Sequence, residues 1–156
     1  MSRAPVVVSS GHKRITDALI RCIHSAASRH LIPEQIIDPQ RGNARSLGCD
    51  DSLLEELFLE LTSLLRVINL IIELNSRSID YISSFGERMS VQCIADYFTR
   101  NGRPAVALDV WDLGFITDEH HGNAWLIVGY ESEMCKSVSK KAINSEDRRR
   151  DVVPLV

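Results

Sequence analysis

Nowhere in the 156 residues does an uncharged apolar run approach the length a helix needs to span a bilayer. The N-terminus also lacks the basic-then-apolar pattern of a secretory leader. A membrane location is therefore not expected. Basic charge is not in excess: 18 Lys and Arg stand against 21 Asp and Glu, a net charge of -3. Without a general basic field, the chain offers nucleic acid no electrostatic footprint. Cysteine is sparse. Cys22, Cys49, Cys93 and Cys135 lie far apart and form no paired metal-ligand spacing. Reduced thiols in a cytoplasm-like compartment are the plain expectation, with an organelle as the alternative if a transit peptide precedes this chain. There is no Gly-x-x-x-x-Gly-Lys segment to cradle a triphosphate.

What is present suits a globular chain: 44% hydrophobic and 25% charged residues. The length fits one domain with a sizeable core. Pro5-Val6-Val7-Val8-Ser9-Ser10-Gly11 reads as a short buried strand, a β-branched run stopped by Ser and Gly. A basic loop follows, His12-Lys13-Arg14, and Thr16 is placed to cap a helix over 17–30. Residues 31–51 are polar and carry Pro39, Gly42 and Gly48, so they read as a connector. From 52 to 74 leucines and isoleucines recur at helical spacing, capped by Asp51 or Ser52. A dimeric coiled-coil seam is the sharper reading of that stripe, but the run is short and lacks heptad regularity, so core packing is expected.

The chain then reaches Ser84-Phe85-Gly86-Glu87-Arg88-Met89-Ser90, read as a polar loop between two apolar segments. Downstream come a helix over 91–99, a turn at Asn101-Gly102, a strand over 105–109 and a polar turn at 118–124. Trp111 and Trp125 are expected to pack on the sheet. Residues 135–151 mix Lys and Arg with Glu and Asp and read as a charged linker or surface helix. Val152-Val153-Pro154-Leu155-Val156 reads as a further strand.

Chemistry is sought first at the 84–90 loop. Gly86 lets backbone approach a ligand, and Glu87 beside Arg88 presents both charges to a small zwitterion. The blander reading is a helix-terminal acid beside a surface base, worth a fraction of a kcal/mol, ~0.5. Asp118-Glu119-His120-His121 contains ligand-type side chains, but no third partner stands at a useful spacing, so no metal site is assigned.

Two of these segments carry a family resemblance. Ser84-Phe85-Gly86-Glu87-Arg88-Met89-Ser90, followed at the right distance by Phe115-Ile116-Thr117-Asp118 and Gly122-Asn123-Ala124, resembles the aspartokinase branch of the amino-acid kinases. Thr16-Asp17-Ala18-Leu19 aligns as well and puts Ser10 at a family serine. Gly11 stands where the family has alanine, and His121 where it has phenylalanine. The resemblance implies an α/β fold, a three-layer αβα sandwich, with residues 1–156 forming an incomplete kinase domain. It implies transfer of the ATP γ-phosphoryl group to the β-carboxylate of L-aspartate, the first step toward lysine, threonine and methionine. ATP and Mg are the implied cofactors, and a homo-oligomer is the implied state of the full-length enzyme. Thr16 and Glu87 fall on aspartate-contacting positions, with Ser10 and Arg88 beside them. Ser90, Thr117 and Asp118 match the motif without an assigned role. The family's Lys-Phe-Gly-Gly-Thr-Ser segment, with its phosphate-facing lysine, is not in this sequence, and Lys13 lies in a different loop. No catalytic residue is assigned. The competing expectation is a non-catalytic, kinase-like binding module.

Overall fold

A computed structural model describes residues 6–11, 13–121, 123–127, 136–137 and 153–155. The described residues are mainly helical and add one short parallel strand pair. They divide into two compact units, Ser10–Cys93 and the combination of Met1–Ser9 with Ile94–Val156.

The first unit is built on helices. Helix α1 (Lys13–Ala27) buries Leu19, Cys22, Ile23 and Ala26, the i, i+3, i+4, i+7 stripe of a core-facing helix. Thr16 lies inside its first turns rather than capping it, because the helix begins at Lys13, ahead of the start expected at Asp17. Helix α2 (Glu34–Ser46) occupies the segment expected to be a connector. Ile36, Gln40 and Ala44, four apart, turn inward together, while the Pro39 ring faces solvent and its fixed φ suits a helix. Gly48 is not an interruption but the stop: at φ 72° it lets Cys49 N–H donate to the Ala44 carbonyl and close the last turn.

Asp50, not Asp51 or Ser52, caps the next segment, its carboxylate accepting from Ser52 N–H at 2.8 Å. One 3-10 turn (Asp51–Leu54) leads into α3 (Glu55–Ile71), which buries Leu57, Phe58, Leu61, Leu65 and Ile68. Core packing therefore accounts for one face of the leucine-rich stripe. The helix ends at Ile72, which takes a left-handed conformation at φ 56°. Asn75 starts a separate helix, α4 (Ser76–Ser83), by accepting from Ser78 N–H. The helical stripe read to 74 thus stops at Ile71, and a separate helix follows it.

The largest departure comes at 84–90. Ser84 alone is a turn residue, and α5 (Phe85–Arg100) starts at once. What the polar residues suggest is a loop is a helix, because Phe85, Met89 and Cys93 recur every fourth residue and all three are buried in the core. Gly86 has no positive φ. Its missing side chain serves packing instead: a Cβ there would lie 3.2 Å from Ile15 Cγ2 on α1.

In the second unit Val7 is a single bridge residue, and the rest of 6–9 has no regular structure, so the expected opening strand is not formed among them. The turn at Asn101-Gly102 forms as expected, with Gly102 at φ 77°. Strand β1 (Ala105–Ala107) is shorter than the sequence suggests, and β2 (Val153–Leu155) pairs with it in parallel, Ala105 opposite Val153 and Ala107 opposite Leu155. Trp111 and Trp125 are 45% and 72% exposed, so neither is covered by a sheet. Apart from Lys136 and Ser137, the charged stretch 135–151 lies outside the described residues. Among the described residues no helix is long and apolar enough to cross a membrane.

Candidate functional site

The residues singled out as substrate-binding, Ser10, Thr16, Glu87 and Arg88, all belong to the first unit and lie on three of its segments. Helix α1 carries Thr16, helix α5 carries Gly86, Glu87 and Arg88, and Ser10-Gly11 leads into α1. Their approach is measured at the two glycines. A Cβ on Gly11 would stand 3.1 Å from both the Gly86 carbonyl carbon and the Glu87 amide nitrogen, and 3.5 Å from Glu87 Cδ. A Cβ on Gly86 would stand 3.8 Å from Thr16 Oγ1. Backbone here touches backbone, which two residues without side chains permit. Gly11, Thr16, Gly86 and Glu87 are therefore neighbours, with Thr16 and Glu87 half-buried and Ser10 exposed beside them.

Arg88 goes elsewhere. Its Nη1 donates to Glu60 Oε2 on α3 at 3.2 Å, and its guanidinium lies 4.8 Å from the centre of the Phe85 ring. The side chain is only 16% exposed. Tyr81 joins the same carboxylate by donating to Glu60 Oε1, and packs edge-on to Phe85 with ring centres 5.8 Å apart. The Glu60 hydrogen bond, first, and then burial push the Tyr81 hydroxyl above the ordinary phenol value. Sequence reasoning did not single out Glu60 or Tyr81, since an acid on a helix back and a lone tyrosine carry no motif. Ser90 is also committed locally, its hydroxyl donating to the Gly86 carbonyl at 2.8 Å.

Thr117 and Asp118 lie in the second unit. Thr117 forms an antiparallel bridge with Leu126. The Asp118 carboxylate accepts from Trp125 N–H at 3.1 Å and His120 N–H at 3.2 Å, and its other oxygen lies 3.1 Å from His120 Nδ1. The Trp125 N–H, chiefly, holds this carboxyl below the ordinary carboxylate value. It organises its own turn. Cys22, Cys49 and Cys93 are reduced and buried, and burial together with Glu34 raises the Cys22 thiol.

The geometry defines a chain with an acid, a hydroxyl and close-packed glycine backbone where the segment leading into α1 meets two helices. Comparison with known proteins narrows that class. No protein-family model matches the chain. Aspartokinase 2, chloroplastic, of Arabidopsis thaliana is 26% identical over 159 aligned positions, covering 97% of this chain and 28% of that protein. Aspartokinase 3, chloroplastic, of the same plant is 31% identical over 113 positions, covering 72% of the chain and 19% of that protein. Aspartokinase 1, chloroplastic, is 31% identical over 127 positions, covering 77% and 22%. The chain is an aspartokinase relative, matching a fragment-sized part of those proteins. It spans under a third of the length of each of these curated relatives.

Proposed function

We propose that the chain carries the acceptor side of an aspartate kinase, in a three-layer αβα sandwich of the amino-acid kinase type. The reaction it serves is transfer of a phosphoryl group to the β-carboxylate of L-aspartate. The observation that carries this reading is the junction of Gly11 with Gly86 and Glu87, beside Thr16. A half-buried carboxylate next to a hydroxyl and open backbone suits an ammonium group flanked by hydrogen-bond acceptors and donors. Glu87 takes the ammonium, and Thr16 and Ser10 meet the carboxylates. Arg88 is not assigned a substrate contact, because Glu60 and Phe85 already hold it. Its part is to fix the first turn of α5, from which Glu87 projects.

Mg-ATP is the donor this reading needs, and its site is not assigned among the described residues. Among them no three His, Cys, Asp or Glu side chains converge as a metal set. No step is therefore derived through the nucleotide. A plastid setting accompanies the proposal, on the strength of the relatives' chloroplastic names.

Calorimetric titration with L-aspartate, paired with a hydroxamate assay for aspartyl phosphate, tests the reading. L-aspartate binds the unaltered chain, and Glu87→Gln, which keeps shape but loses charge, weakens binding at least tenfold. Equal binding by both chains, or no binding at all, defeats it. The confinement of Arg88 favours a second reading, a kinase-like module that binds an amino acid without phosphorylating it. Binding with no hydroxamate signal in the presence of Mg-ATP selects that one.

A further inference from the structure

Leu64, Val67, Ile68 and Ile71 form one stripe of α3 at helical spacing, and that stripe lines a cavity of about 400 Å³. Ser78, Tyr81 and Ile82 of α4 line its other side. Small-molecule sites have volumes of ~300–1,000 Å³ and pair an apolar lining with a few convergent polar groups. Val67 and Ile71 are 51% and 59% exposed, so these walls stand open to solvent. The remaining polar lining comes from the connector after α3 and the first turn of α4: Glu73, Asn75 and Arg77.

The charges at that end are unspent. Among the described residues Arg77 has no ion pair or hydrogen bond. The Asn75 side-chain oxygen accepts from Ser78, but its amide N–H groups donate to nothing among those residues. A guanidinium fork beside an amide donor suits a carboxylate. Glu73 is also unpaired among the described residues and repels a second negative charge, so the head that fits carries one.

We propose that this cavity binds a free amphiphilic carboxylate, its head on Arg77 and Asn75 and its unbranched apolar chain between α3 and α4. Leu64 to Ile71 covers about 10 Å of helix axis, roughly the length of an extended eight-carbon acid. Past Leu64 the Tyr81 hydroxyl donates to Glu60 and ties α4 to α3. An ammonium head would find Glu73 alone. L-leucine would meet both charges, but its short side chain covers less of the wall.

Calorimetric titration of the 156-residue chain with sodium octanoate, kept below its micellar range, tests the site. Octanoate binds, and octylamine, 1-octanol and L-leucine each bind at least tenfold more weakly. Arg77→Gln and Val67→Glu each weaken octanoate at least tenfold, whereas Glu73→Gln tightens it at least threefold. All three side chains are exposed in the free chain, so the helical circular dichroism is unchanged in each variant. No heat at millimolar octanoate overturns the proposal, and so does equal binding by Arg77→Gln. Octylamine, octanol or leucine binding as tightly as octanoate overturns it too, since the occupant would then have a different chemistry.

Discussion

Glu60 accepts two donors at once, the Tyr81 hydroxyl and the Arg88 guanidinium, and so joins three helices through one carboxylate. Removing it leaves Arg88 over the Phe85 ring without its acid. Glu60→Ala should cost about 1–3 kcal/mol, read as a drop in the urea midpoint. The same group fixes a pH dependence. A tyrosine whose folded pKa is raised lends stability that is complete below the ordinary phenol value of 10.0 and is lost as pH rises through the folded value. Ultraviolet difference titration should show Tyr81 ionising later than a free phenol in the parent chain and near the ordinary value in Glu60→Ala. Asp118 has the opposite sign. Its folded pKa is lowered, so its contribution is complete above the ordinary carboxylate value of 3.8 and fades as pH falls through the folded one. The amide proton of Trp125, bonded to that carboxylate, should keep its chemical shift below pH 3.8 and move only in stronger acid. A midpoint at or above the ordinary value refutes the assignment.

The break between α3 and α4 shows how one element boundary is set by opposing forces. Ile72, β-branched, is held at φ 56°, a conformation such residues avoid. Ile72→Gly should therefore raise stability by about 0.5–1 kcal/mol, since relief of the left-handed strain exceeds the loss of a side chain already 46% exposed. Asn75→Ala should act the other way, costing about 1 kcal/mol by removing the acceptor for Ser78 N–H. Thermal denaturation of the two variants tests both signs together. Leucine spacing carried the expected helix to 74, and only the Asn-Ser pair at 75–76 hinted at a new start. Likewise, Pro39 and the two nearby glycines were read as punctuation between helices, although Ile36, Gln40 and Ala44 already had the period of a buried face. Breaker residues outvoted a short amphipathic signal because the expected cost of proline assumes a position where its ring clashes.

Across the molecule, burial is uneven. The core cluster, from Leu19 to Cys93, lies wholly within Ser10–Cys93. In the other unit the buried hydrophobic side chains among the described residues are Ala95 and Leu113. Hydrogen exchange of the whole chain should find its slowest amides in α1 and α3, with β1 exchanging at least tenfold faster, because opening free energy follows local apolar burial. Comparable protection in β1 would show that area is the wrong guide here. The three buried thiols should resist an aqueous thiol reagent in the folded chain and react on unfolding, as burial shields them from the reagent.

The order of residue types alone determined which helices exist in α1 and α3, which face of each is apolar, where Gly102 turns the chain and where a family motif begins. Those are local properties, carried by periodicity and by the conformational freedom of single residues. The tertiary structure decided that Phe85–Ser90 is helix instead of loop, that Gly86 serves contact with α1, and that Arg88 faces Glu60 while Glu87 faces Gly11. Such outcomes depend on what lies across a packed surface: Phe85 enters the core only because α1 and α3 have built one, and its burial fixes the direction of every side chain in the turn that follows.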